Sequence, residues 1–465
     1  MSGSAWTEEA TAALLTVTGA SVRRDPATRA DFAEDFGHLV QAQPWAVATP
    51  RDVDELSAVV RFAAQQRLPL CPRGRGYSQS GQALSPAGLS VDLSRLDRIE
   101  PIRPTDLQAH CEAGTRWREL TRATLEFGLV PRVVPLNLDI SVGGLISAGG
   151  IGSNAYRHGP VVSQIPALEV VTGGGRIIRC SAAETGDLFF AVLGGLGRCG
   201  IVARAAVALR PAPARVRTFH LVYDEIEPWF ADQQRLVSDR RVDHIEAMCW
   251  MGAKGFRSRS AGQGSRVQWL YGIQVGVEYS DIPPDQTEAL RAVTPWRVVH
   301  VDDETFSDFI ARYQPRFDGM RQSGAWQQLH PWLECLLPPE RLVGLLPTIL
   351  DELPTSLGDG HRVLWIDTSK KPPLFATPDG NRAVCLAILP TGVAASEREH
   401  VLPALARIDA LLRKAGGKRY LSGWLGTMDA DRWREHHGGL YESWTGLKRR
   451  FDPDRILRSA LFPDG

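Results

Sequence analysis

Three glycine-rich segments in the first 200 residues constrain this chain more than anything else in it. They are Arg73-Gly74-Arg75-Gly76-Tyr77-Ser78-Gln79-Ser80-Gly81-Gln82, Ser141-Val142-Gly143-Gly144-Leu145-Ile146-Ser147-Ala148-Gly149-Gly150-Ile151-Gly152, and Leu193-Gly194-Gly195-Leu196-Gly197. The second holds five glycines in twelve residues, a density that by propensity favours neither helix nor strand. A plain surface loop would leave Val142, Leu145, Ile146 and Ile151 in water. The remaining reading is a backbone that something else approaches closely. A strand over residues 68–71 runs into the first segment, and another begins at Ile201 after the third. A strand feeding closely spaced glycines turns successive N–H groups toward an anion, and Arg73 and Arg75 add charge. Gly195, Gly197 and Gly200 fit G-x-G-x-x-G, but a strand follows where the dinucleotide fingerprint needs a helix. Three such segments in one β/α region indicate a long phosphate-containing cofactor.

Around them the chain reads as β/α units. Residues 45–49 form a strand, and Pro50 and Asp52 open a helix with Val53, Leu56, Val60 and Ala63 on one face. Residues 89–93 make a third strand, and residues 168–171 and 176–180 make a hairpin across Thr172-Gly173-Gly174-Gly175. Residues 187–193 form a short helix, and the strand over 201–209 ends at Arg210-Pro211-Ala212-Pro213, a domain boundary. From about residue 214 phosphate-loop glycines disappear. Tryptophan becomes frequent, at 229, 250, 269, 296, 326, 332 and 365, which suits a planar or apolar substrate. Residues 399–415 form a helix with Val401, Leu405, Ile408 and Leu412 on one face. A last polar helix carries Trp433, Leu440, Trp444 and Leu447 and stops at Phe451-Asp452-Pro453.

The 465 residues are too many for one ordinary core and call for two lobes. Lys plus Arg and Asp plus Glu both number 53, a balance that pulls toward neither nucleic acid nor an anionic membrane. The longest apolar runs are far shorter than a membrane span. Seven scattered cysteines with no CxxC pair indicate buried thiols in a reducing compartment, with neither a zinc site nor a disulfide framework. His436-His437 on a polar helix face different directions and make no metal site. A polar N-terminus without a basic and then apolar leader, and an Arg- and Ala-rich composition, point to a bacterial cytoplasmic protein.

The same segments resemble the FAD domain of vanillyl-alcohol-oxidase-type flavoproteins, and specifically the cytokinin dehydrogenases. The resemblance spans nearly the whole chain. Asp35-Phe36, residues 45–50, the three glycine segments, Arg157-His158-Gly159-Pro160, His330-Pro331-Trp332-Leu333, Tyr420-Leu421 and Phe451-Asp452-Pro453 all take part. It implies an α+β, two-domain fold. A PCMH-type FAD-binding domain would span residues 1–212 and an antiparallel-sheet substrate domain residues 213–419. A C-terminal segment, 420–465, would return to the first domain. It also implies FAD held by Arg73, Gly74, Arg75, Gly76, Tyr77, Ser78, Gln82, Ser141, Gly143, Gly144, Ser147, Ile151, Val202 and Tyr420. The substrate pocket would contain Leu136, Glu246, Trp332, Glu334 and Leu421.

The departures from the family pattern sit at the chemistry. Tyr77 stands where the family carries a histidine joined to the flavin, so the FAD is expected to be non-covalent. Leu136 stands where the family has the aspartate that accepts the substrate proton. Asp139 is three residues on, and an alternating strand would point it to the other face. Glu334 replaces an asparagine two residues after Trp332, and Glu246 falls on a glutamate of the family's substrate entrance. Either carboxylate can supply the missing base, and burial beside Trp332 would raise its pKa toward neutrality. The terminal Pro-Gly-Gln of the family is shortened to Arg458-Ser459-Ala460-Leu461. The expectation is an FAD-dependent oxidase or dehydrogenase acting on a C–N or C–O bond of a small molecule other than a cytokinin. Dioxygen or another electron acceptor would complete the cycle. Two alternatives are a true cytokinin dehydrogenase with a rearranged base and a flavin-binding protein without turnover.

Overall fold

The computed structural model describes residues 5–258, 262–358 and 360–464. Among them seventeen strands form three sheets that follow one another along the chain. The first comprises β1 (Ser21–Arg23), β2 (Ala46–Thr49), β3 (Leu70–Arg73) and β4 (Leu89–Asp92), in the order β1-β2-β4-β3. β2 and β3 both run parallel to β4, so a crossover has to join β2 to β3. The helix Val53–Gln66 provides it. Asp52 caps that helix, accepting from Glu55 N at 2.8 Å, and the face carrying Val53, Leu56, Val60 and Ala63 is buried as its spacing requires.

The second sheet holds β5 (Gln108–Glu112), β6 (Leu129–Pro131), β7 (Ala167–Thr172), β8 (Ile177–Ser181) and β9 (Gly200–Pro211). β9 is its long central strand, pairing antiparallel with β5, β6 and β7. β7 and β8 form the expected hairpin. The end of the chain comes back to the first sheet. Leu70 N donates to Ile456 O at 2.8 Å and Arg458 N donates to Leu70 O at 2.9 Å. Ile456 and Leu457 are buried in the same core as Leu70 and Leu89.

The third sheet is antiparallel throughout. It contains β10 (Arg215–Tyr223), β11 (His244–Ser258), β12 (Gly262–Tyr279), β13 (Arg297–Thr305), β14 (Leu333–Leu337), β15 (His361–Asp367), β16 (Arg382–Ile388) and β17 (Lys418–Arg419). Their order is β13-β10-β12-β11-β15-β16-β14-β17. The period of two along each strand divides its side chains between two cores. Leu333, Cys335 and Leu337, with Val363, Trp365, Val384, Leu386 and Ile388, pack in a core with residues of helices Ile226–Asp239, Pro339–Glu352 and Arg398–Lys414. Leu336, Leu364, Ile366, Cys385 and Ala387 face the other way, into a core shared with the second sheet. No helix among the described residues is long and apolar enough to cross a membrane.

Three sequence expectations are corrected. The segment after Ser141 is helical over Val142–Ala148. Ser141 accepts from Gly144 N at 3.3 Å, and burial of Val142, Leu145 and Ile146 outweighs the glycine propensities. The final helix is two, Ala430–His437 and Tyr441–Phe451, broken at Gly438 with φ 53°. His436 and His437 are both buried there, with His437 stacked on Trp444 at 4.3 Å. The residues between Arg132 and Ser141 form no strand, so alternation does not decide where Asp139 points.

Candidate active site

The three glycine segments and the inner face of the third sheet enclose a cavity of about 270 Å³. Its first wall is the loop leaving β3. Gly74, Arg75, Gly76, Tyr77 and Ser78 all line it. Among the described residues none accepts from the backbone N–H groups of these five. A Cβ at Gly74 would collide with the Ser141 hydroxyl, so the first and second segments can meet only with glycine there. Gly143, Gly144, Ser147 and Ile151 continue the wall, and Gly197, Gly200 and Val202 close it from the third segment and β9.

What holds the first loop in shape is Asp35, part of the Asp35-Phe36 pair in the family pattern. Its carboxylate accepts from Gly81 N at 2.8 Å, Ser78 Oγ at 3.0 Å and Gly37 N at 3.2 Å. It is 2% exposed. Burial pushes its pKa up to about 6, against the hydrogen bonds from Gly81 and Ser78. Gln82 locks the far end of the loop, donating to Leu421 O at 2.8 Å and Gly423 O at 3.1 Å.

The opposite wall follows from strand alternation. Glu334 on β14 and Arg362 on β15 are each registered against Ala387 of β16, so the three form one cross-strand row. All three line the cavity. Glu334 is half-buried because one side opens on the cavity, while its carboxyl lies deep within the protein. Burial pushes the carboxyl up to about 7, and the Arg419 charge pulls it down. That pull is limited, because Arg419 is already paired with Asp409 at 2.7 Å. Trp332 stands beside Glu334, its indole donating to Pro390 O at 2.9 Å. Phe36 meets its ring edge-on at 4.9 Å and stacks on His330 at 4.2 Å.

Most of the residues expected at the site are brought together, and three are placed elsewhere. Glu246 is 1% exposed and does not line the cavity. It is held between Arg312 Nη2 at 3.1 Å and Arg362 Nε at 3.0 Å, one layer behind the wall. Arg73 turns away toward the carbonyl of Asp31 and the ring of Phe32. Leu421 buries its side chain with Leu425, Trp433, Trp444 and Phe462 and offers only its carbonyl to Gln82. Of the seven tryptophans of the middle region only Trp332 lines the cavity. Trp229 and Trp365 belong to the core on the far side of the third sheet and Trp296 is exposed, so tryptophan frequency there does not mark the substrate pocket.

Leu136 and Tyr77 both face the cavity. Tyr77 packs among Phe36, Phe317 and Trp326. Burial and then the Asp139 charge raise its phenol pKa, opposed by Arg321 and Asn137, so the hydroxyl stays protonated. Asp139 itself does not line the cavity and pairs with Arg118 at 3.0 Å. Asn137, Tyr313, Arg316, Phe317, Arg362 and Leu389 also line the cavity, unmarked in the sequence. None sits in a motif. For Arg362 the available signal was a basic residue in the period-two pattern of β15, which marks a buried face only once the partner strands are known.

The residues present fit FAD. Five unpartnered N–H groups in one loop suit a pyrophosphate, and the apolar sheet face opposite suits a planar ring. The family comparisons agree. Residues 44–181 match a family model described as FAD binding domain, and residues 213–460 match one described as cytokinin dehydrogenase 1, FAD and cytokinin binding. The chain is 31% identical to cytokinin dehydrogenase 10 of Oryza sativa subsp. japonica, over 94% of this chain and 88% of the relative. It is 32% identical to cytokinin dehydrogenase 6 of the same plant, over 94% and 90%. It is 28% identical to an uncharacterized oxidoreductase, ORF5 in the fasciation locus, of Rhodococcoides fascians, over 91% and 94%.

Proposed function

The chain belongs to the cytokinin dehydrogenase family of FAD-dependent oxidoreductases, and from that premise we propose that it oxidises a C–N or C–O bond of a small molecule other than a cytokinin, with Glu334 as the base. The observation that carries this reading is the carboxyl of Glu334, open to the cavity and pushed up by burial to about 7. A base with a pKa near the working pH combines a large ionised fraction with useful proton affinity. FAD, when bound, supplies the hydride acceptor. Glu334 takes the proton from the substrate N–H or O–H as the C–H bond beside it breaks. Trp332 and Phe317 border the same cavity, and burial is what raises the carboxyl's pKa. Glu246 positions the wall through Arg362 and takes no proton. Dioxygen or another acceptor restores the oxidised cofactor.

Two further elements belong to the proposal. The FAD is non-covalent, because Tyr77 at the attachment position has no imidazole nitrogen and its phenol stays protonated. The three-part division of the chain, 1–212, 213–419 and 420–465, is supported by the third sheet running from Arg215 to Arg419 and by the return of Ile456 and Leu457 to the first. A cytoplasmic location is supported by seven free, buried cysteines.

The relatives named as cytokinin dehydrogenases favour one competing reading, that isopentenyl-type cytokinins are substrates. Leu136 in the cavity wall argues against it, since a cytokinin N–H directed at that wall, away from Glu334, would be desolvated without an acceptor at a cost of about 1–3 kcal/mol. The deciding experiment mixes the holoenzyme anaerobically with small amines, small alcohols and isopentenyladenine, and follows bleaching of the flavin. Steady-state turnover of isopentenyladenine at about 1 per second or faster would sink the proposal.

A further inference from the structure

We propose that the substrate carries an anionic group, a carboxylate, which docks on Arg362 at the opposite end of the cavity wall from Glu334. This rests on the reading of Glu334 as the base and narrows the substrate to a compact amine or alcohol that also bears a carboxylate.

Behind the wall one carboxylate, Glu246, serves two guanidinium groups, Arg312 at 3.1 Å and Arg362 at 3.0 Å. Arg312 is turned inward, its fork on Ser153 Oγ at 3.3 Å and the Phe309 carbonyl at 2.9 Å. The field of Glu304 on β13 also falls on Arg312. Glu278, the next carboxylate, is taken by Arg210 and by His244 at 2.9 Å. Arg362 is the member of the cluster that opens on the cavity. Its Nε faces Glu246 and its Nη1 donates to His361 O at 3.1 Å. Among the described residues its Nη2 edge has no acceptor. A guanidinium carries five donors in a planar fork that matches a carboxylate.

Around the row lie the apolar Leu364, Ala387, Leu389 and Trp332, with the Arg316 guanidinium over the Trp332 ring and donating to the Leu389 carbonyl. A neutral substrate filling the cavity would strip water from Arg362 without replacing it, which is costly for a charged group. An anionic group removes that penalty, so the site selects for it.

Glu334 and Arg362 flank Ala387 in one cross-strand row, which places their backbones about 10 Å apart, two strand spacings. The methyl of Ala387 leaves the floor between them open. A substrate reaching from one to the other has its oxidisable carbon and its carboxylate separated by only a few atoms.

The test measures binding of a ligand that cannot be oxidised. Phenylacetate and the isosteric neutral phenylacetamide are titrated into the oxidised holoenzyme, with Kd read from perturbation of the flavin absorbance and from calorimetry. Phenylacetate is expected to bind tighter by about tenfold or more, the usual size of a charge-assisted pair. Arg362→Gln should erase that preference. It leaves Glu246 its partner Arg312, and should it retain too little flavin, Arg362→Lys should weaken phenylacetate several-fold while leaving phenylacetamide unchanged. Equal affinities in the wild type, or a preference that survives Arg362→Gln, would overturn the proposal and leave Arg362 to the flavin. Neither titration needs turnover, so a failure of Glu334 as base would show only in the rate of flavin reduction.

Discussion

Tyr420 donates its backbone N–H to the carbonyl of Glu334 at 3.0 Å. Its hydroxyl accepts from Gly150 N at 2.7 Å. One residue therefore ties the strand that carries the acid to the glycine wall that faces it, and the distance between base and cofactor wall depends on that tie. Tyr420 also precedes the carbonyls of Leu421 and Gly423 that hold Gln82. The return of the chain after β17 thus joins both walls at once.

Glu334→Gln is expected to slow flavin reduction by at least tenfold, since general bases contribute about 10²–10⁴. In the wild type the reduction rate should rise with pH through about 7, where the Glu334 carboxyl ionises, and level off above it. The variant should lose that limb. Stopped-flow reduction across pH, with an unchanged profile in Glu334→Gln, would remove Glu334 from the mechanism. Glu246→Gln should keep the limb and disturb stability instead, because it leaves Arg312 and Arg362 without their shared partner.

The same carboxyl should carry a stability cost. Its pKa in the fold, about 7, lies above its ordinary 4.5. The fold therefore favours the protonated form, and the stability it contributes is complete below 4.5 and lost as pH rises through 7. Glu334→Gln has no such loss, so above pH 7 it should melt higher than the wild type and at pH 4.5 it should not. The difference is at most about 3 kcal/mol. Thermal unfolding at the two pH values reads it, and equal melting temperatures at both would show that the carboxyl is not held protonated.

Tyr420→Phe should lower stability by about 1–3 kcal/mol, because the buried Gly150 N–H loses its acceptor. Its pH limb of flavin reduction should stay in place, since Glu334 keeps its carboxyl and its backbone bond. A shifted limb would give Tyr420 a part in tuning the acid.

Asp35→Ala should release flavin, because three donors that shape the first loop lose one acceptor. The ratio of flavin to protein after gel filtration checks this, and full retention would mean that the loop holds its shape unaided.

Denatured holoenzyme should release intact FAD and show the bare polypeptide mass. The protonated phenol of Tyr77 and the buried thiol of Cys71, whose pKa burial pushes up to about 12, are both poor nucleophiles. A polypeptide heavier by one FAD would identify a tether at one of them.

The glycine segments, the capped helix after Asp52 and the β7–β8 hairpin were legible in the sequence, because local backbone preferences and short-range periodicity set them. The placement of Glu334 near Trp332 came from the resemblance, through the His330-Pro331-Trp332 segment. The helix over Val142–Ala148 was not legible, because burial of Val142, Leu145 and Ile146 overrode propensity. The separation of Glu334 from Glu246 was likewise invisible. Both are isolated glutamates in apolar strands, and only the register of β11, β15, β16 and β14 puts one at the cavity and the other behind two arginines. Asp35 holds Ser78 and Gly81 from about 45 residues away, and Arg362 meets Glu246 across more than 100 residues. Motifs report what the chain does to itself over a few residues. The charge balance of a cavity comes from which strands lie side by side, and that was decided by the tertiary structure alone.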